Sequence, residues 1–107
     1  MTTLNTIFGE ATQTIDNLTI EKIALIQYGL TVLVENSAQA LLVAILLSAK
    51  SGLTRENFDT NINQNIYIED GFSSFITRGE SNTPYRIDQI IINLARTDEG
   101  TIDPDNY

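Results

Sequence analysis

The sequence predicts a mainly α protein, a small helical bundle around one long central apolar helix. Three observations predict it. Residues Ile20 to Lys50 carry a polar stripe of Glu21, Gln27, Tyr28, Thr31 and Glu35 at about 100° per residue, with apolar side chains filling most of the remaining arc. Ala40 to Leu47 (ALLVAILL) then contains no polar residue, the pattern of a helix surrounded on all sides. Thr83-Pro84 reads as the opening of a further helix, with Thr as N-cap and Pro at the first helical position.

From the N-terminus, Leu4, Ile7, Phe8, Ala11, Ile15 and Leu18 recur at helical spacing, with Thr2 or Thr3 as cap. The segment is rich in Thr, which lowers its helix propensity. Asp16-Asn17-Leu18-Thr19 is a turn before the central helix. A straight helix over 20–50 spans about 45 Å, against a diameter of roughly 35 Å for a compact chain of this size. Either the chain bends at Glu35-Asn36-Ser37, with Ser37 capping a second helix, or the molecule is elongated and packs against copies of itself. The unbroken spacing from Glu35 to Gln39 favours one helix.

Ser51-Gly52 is a stop signal, and Leu53 to Phe58 reads as a capped single turn or short helix. Residues 59–64 are an Asn-rich loop. Ile62, Ile66 and Ile68 share one face of a strand, and Asp70-Gly71 is a turn dipeptide. Phe72 to Thr77 pairs back in this reading, giving a short β-hairpin near 62–77; a helical turn over 71–76 is the alternative. Ile87, Ile90, Ile91 and Leu94 form the apolar face of the last helix, opposite Arg86, Gln89, Asn93 and Arg96. Residues 1–96 are expected to be one helical domain. Residues 97–107 are expected to be an exposed acidic tail carrying Asp98, Glu99, Asp103 and Asp105.

Composition removes several function classes. The 107-residue chain has 14 acidic and 6 basic residues, a net charge of −8, and no histidine or cysteine. Nucleic-acid binding needs clustered Lys and Arg, and here they are scattered. Without His or Cys there is no usual general base, no thiolate nucleophile and no His- or Cys-based metal site. Thr97 to Asp103 has the flavour of a calcium loop, but setting Gly100 at position 6 puts Ala95 at position 1 and Asn106 at position 12. The first ligand and the bidentate Glu are both missing. The pairs Glu69-Asp70 and Asp98-Glu99 read as solvated turn acids rather than a hydrolytic dyad. Arg78, Arg86 and Arg96 read as salt-bridge partners rather than a phosphate site. No catalytic residue, cofactor or metal is expected.

Each uncharged half of the 23–49 stretch is shorter than the roughly 20 residues a spanning helix needs, so no membrane span is expected. The N-terminus shows no classical signal pattern, and the expected location is cytoplasmic or inside a macromolecular assembly. What remains is a coverage problem, since the central helix has more apolar sides than the rest of the chain can cover. The expectation is a non-catalytic structural or interaction subunit forming a homo-oligomer, a component of a phage particle or another large bacterial assembly. Its self-association residues would be Ile26, Gly29, Leu30, Leu33, Leu41, Leu42, Ile45 and Leu46. Gly29 would allow close approach of a second helix. The alternative is an acidic antagonist (an immunity protein, antitoxin or nucleic-acid mimic) that presents its negative surface to a basic protein.

Overall fold

A computed structural model describes residues 2–97 and 100–107. The chain is mixed α/β, with six short strands in antiparallel pairs, and not a helical bundle. Helix α1 (Leu4–Phe8) is followed by a small hairpin of β1 (Ala11–Gln13) and β2 (Leu18–Ile20), a 3₁₀ helix (Lys22–Tyr28), helix α2 (Ala38–Gly52) and helix α3 (Arg55–Thr60). Strands β3 (Ile66–Asp70), β4 (Ser74–Arg78), β5 (Thr83–Ile87) and β6 (Ile90–Leu94) complete the regular structure, before a 3₁₀ turn at Pro104–Asn106.

The long central helix over 20–50 does not form. Ile20 ends β2, and the 3₁₀ helix stops at Gly29, which takes the left-handed conformation with φ 96°. Residues 30–36 are irregular. The Asn36 side chain holds them there, donating to the Thr31 carbonyl at 2.8 Å and accepting from the Leu33 amide at 3.2 Å. Ser37 then opens α2 by accepting from the Ala40 amide at 3.1 Å. β-branched Thr31, Val32 and Val34 add little helix propensity against these local bonds.

The N-terminal helix is equally short. Thr3 and Thr6 form a reciprocal capping box, but Gly9 at φ 83° ends α1, and Thr-rich residues 11–20 pair across the turn at 14–17. The short capped helix expected after Gly52 is present as α3, with Thr54 accepting from the Asn57 amide.

The C-terminal third differs most. The expected helix from Thr83 is two strands, β5 and β6. The hairpin near 62–77 is also corrected, because β3 pairs with β6 and β4 with β5. The consecutive β-branched Ile90, Ile91 and Ile92 favour the pleated backbone, and Pro84 sits on a strand with an open edge.

Together the four strands form one long two-stranded ribbon. Its inner half runs Ile66↔Leu94 to Asp70↔Ile90, and its outer half Ser74↔Ile87 to Arg78↔Thr83. Between the halves, residues 71–73 face only 88–89. The extra residue makes a β-bulge, and Gln89 serves both of its amides. The Gln89 carbonyl accepts from Gly71 at 2.8 Å and its Oε1 accepts from Phe72 at 3.2 Å. Thirteen extended residues from Ile66 reach about 40 Å. Accordingly the molecule measures 49 × 36 × 26 Å, with a Cα radius of gyration of 16.5 Å against about 13 Å for a compact chain.

Two small cores lie at opposite ends of α2. Leu25, Leu30 and Ala44 form one, flanked by Ile20, Tyr28, Leu41 and Ile45. Ala49, Leu53 and Ile68 form the other, flanked by Ile7, Ile66 and Ile90. The ribbon base is tied to α2 by the Ile68 amide donating to the Leu53 carbonyl at 2.8 Å and by Lys50 paired with Asp70 at 2.8 Å. α1 approaches α2 so closely that a Cβ on Gly52 would lie 1.9 Å from the Thr6 carbonyl oxygen.

That approach generates a paired prediction. Gly52→Ala forces α1 away from α2 and should destabilise the chain by about 1–3 kcal/mol or more in a urea titration. Ser48 is buried and its hydroxyl has no hydrogen-bond partner among the described residues. Ser48→Ala should therefore be neutral or stabilise by about 1 kcal/mol. A cost above about 1 kcal/mol for Ser48→Ala, or none for Gly52→Ala, would contradict this packing.

Candidate interaction surface

Helix α2 is apolar on nearly every side, and the chain packs its small side inward. Ala44, Ser48 and Ala49 are buried, and Gly52 meets α1. On the outward side Leu42 is 56% and Val43 52% exposed. Close approach of α1 requires small residues, so the bulky ones are left outside. Leu46 and Leu47 are half-buried on the border between the two sides.

The 3₁₀ helix adds to the same bare region through its own period. With three residues per turn, Lys22, Leu25 and Tyr28 fall on one face and Ile23, Ile26 and Gly29 on another. The first set points inward, with Leu25 fully buried and Lys22 Nζ donating to the Leu33 carbonyl at 3.1 Å. The second set is exposed, Ile23 at 73%. Leu33, beside it in the irregular segment, is also exposed. Ile23, Ile26, Leu33, Leu42 and Val43 thus border the Leu25–Leu30–Ala44 core as an aliphatic flank.

A second apolar surface lies on the outer ribbon. β4 is exposed at every position and β5 at all but Ile87, and their principal contacts are with each other. Phe72 on the bulge and Phe75 are 85% and 74% exposed. Ile76 and Tyr85 face one another across the strands, and the Arg78 guanidinium lies 4.9 Å from the Tyr85 ring centroid. At the bulge, Arg86 binds Asp88 at 2.8 Å and the Ser73 hydroxyl at 3.0 Å, which fixes where the outer half leaves the inner one.

The expected self-association residues divide between these roles. Leu30 is buried in the chain's own core, Leu41 and Ile45 pack against it, and Leu46 is half-buried. Ile26, Leu33 and Leu42 are exposed on the flank, and Gly29 is exposed as the left-handed cap of the 3₁₀ helix with nothing within 4 Å of an added Cβ. Sequence reasoning missed Ile23 and Val43, and missed the outer ribbon altogether because 83–96 was read as a helix. In the tail, Asp103 and Asp105 are exposed; the Asp103 side chain accepts from the Asp105 amide at 3.0 Å. Asp98 and Glu99 lie outside the described residues. Arg96 donates to the carbonyls of Gly100 and Thr101.

A depression of about 600 Å³ is open and lies between α3, β6 and the C-terminal segment. Phe58, Tyr67, Ile92, Leu94, Arg96 and Tyr107 line much of it, and no Asp or Glu among the described residues does. Beside it, Arg55 stacks on the Tyr67 ring, and its guanidinium is held above its ordinary pKa by the hydrogen bond and charge of Asp59. No group of three metal-ligating side chains comes together among the described residues, and no helix there is long and apolar enough to cross a membrane.

No protein-family model matches the chain, and neither a curated protein nor a solved structure matches it.

The contrast between the buried and bare sides of this region is measurable. Leu25→Ala should cost about 2–5 kcal/mol in a dilute urea titration. Leu42→Ser under the same conditions should change stability by no more than about 0.5 kcal/mol, because the chain leaves more than half of Leu42 exposed. Equal losses for the two would contradict the assignment of α2's inward and outward sides.

Proposed function

We propose that this protein is a non-catalytic structural subunit that self-associates and works as a component of a larger assembly. One observation carries the reading. The chain exposes 8240 Å², against about 5,900 Å² for a compact monomer of the same mass. The excess of roughly 2,300 Å² falls within the range buried by obligate interfaces. Exposed Leu, Ile, Val and Phe side chains on the flank and the ribbon contribute to it.

The contact is not made by one long helix, as the sequence alone implied, but by the flank around α2 and by the ribbon. Most of the six basic residues are engaged locally, including the ion pairs Lys50–Asp70, Arg55–Asp59 and Arg86–Asp88. The exposed aliphatic and aromatic side chains on the flank and the ribbon favour an apolar seam over an acidic face aimed at a basic target.

Gel filtration coupled to light scattering tests the proposal. The expected mass is a multiple of the 11.9 kDa chain, unchanged between low salt and about 1 M salt, because an apolar seam is not screened. Leu42→Glu should shift the mass toward the monomer. A monomer at all accessible concentrations would overturn the reading; an assembly that dissolves with salt would point to electrostatic partner binding instead.

A further inference from the structure

We infer that the outer ribbon is an assembly arm whose occupied site is the aliphatic flank of a second copy, a head-to-tail contact that builds rings or filaments. The inference rests on the self-association reading above and specifies which surfaces meet.

Four observations point there. First, the arm is a two-stranded hairpin whose main contacts are internal, and isolated hairpins are at best marginally stable in water. Second, the two bare surfaces are complementary in kind. One face of the arm presents Tyr85 beside Ile76 and Arg78, an exposed aromatic anchor of the kind that dominates interface energetics, while Phe75 lies on the opposite face beside Arg86. The flank presents branched aliphatics and no exposed aromatic, so it suits a receiver more than an inserter.

Third, their charges differ. The arm with its base, 72–89, carries Arg78 and Arg86 against Glu80 and Asp88, so it is neutral in an otherwise strongly acidic chain, and Arg86 is paired with Asp88. The N-terminal third, which carries Ile23, Ile26 and Leu33 of the flank, has exposed Glu10, Asp16, Glu21 and Glu35 against Lys22. The Glu21 amide donates to the Glu10 carbonyl at 2.9 Å, which holds two of these acids side by side on the β1–β2 hairpin. Arg78 has no acidic partner among the described residues and lies over Tyr85. Two arms meeting each other would set Arg78 against Arg78, whereas an arm meeting the flank sets it near carboxylates.

Fourth, the area is sufficient. In a head-to-tail arrangement each copy gives one arm and one flank, so each closed contact removes surface from both. The roughly 2,300 Å² excess per chain is then one interface's worth, as a stable contact needs. Because arm and flank are different surfaces, a single contact leaves one arm and one flank free, so copies add until the rotation closes a ring.

A mixing experiment separates this geometry from contacts between like surfaces. The arm variant Tyr85→Ser has an intact flank, and the flank variant Leu42→Glu has an intact arm. Each alone should run as the 11.9 kDa monomer by light scattering, and the equimolar mixture should form a complex of twice that mass and stop there. In a contact between like surfaces mixing restores nothing. A wild-type assembly whose variants do not recombine, or one that Tyr85→Ser leaves intact, overturns the arm-to-flank contact while leaving self-association standing. A monomeric wild type overturns both. The milder Val43→Ser and the charge reversal Arg78→Glu serve as second variants, and circular dichroism confirms that each chain is folded.

Discussion

The constraint on which the rest depends is the close approach of α1 to α2. A carbonyl oxygen sits where a side chain at Gly52 would begin, and Ser48 lies next to the Gly9–Ala24 contact, so the side of α2 that faces α1 carries the small residues Ser48, Ala49 and Gly52. Small side chains bring backbones together but bury little apolar area each. The larger side chains Leu42 and Val43 are thereby placed outside. Helix α2 acts as a spine joining two modest cores, and its bulkiest outward residues belong to neither.

From that spine the ribbon follows. Its inner half is anchored through Ile68, Ile66 and Ile90 to the second core, and by backbone and ionic ties to Leu53 and Lys50. The bulge at Phe72 interrupts the pairing where the support ends, and Arg86, Asp88 and Ser73 brace the junction. Beyond it the strands continue without a covering layer. A hairpin of this kind gains its stability from a surface laid against it. In the proposed assembly that surface is the flank of another copy, and apolar area withheld from the core is available to the contact.

Parts of this were legible in the residues. Thr3, Ser37 and Thr54 announce their helix starts, Ser51-Gly52 marks the end of α2, and the excess of apolar sides on 40–47 points to missing neighbours. The 20–50 helix was misread because a run apolar on all sides has no period strong enough to expose a break. Gly29's left-handed turn and Asn36's two backbone bonds decide that break locally. The ribbon was hidden for a different reason. Ile87, Ile90, Ile91 and Leu94 fit a 3.6 period as well as a strand, and the pairing partner that settles the matter, Ile66 to Asp70, lies some twenty residues away. With β5 and β6 misassigned, Phe75 and Tyr85 had no arm on which to be noticed.

The central claim is that surface this chain leaves bare is sheltered between molecules. Amide hydrogen exchange of 74–78 and 83–87, followed across a dilution series, tests it most directly. The account predicts slow exchange in concentrated protein that becomes fast on dilution, in step with dissociation. Exchange at those amides that does not vary with concentration, whether slow throughout or fast throughout, would contradict it.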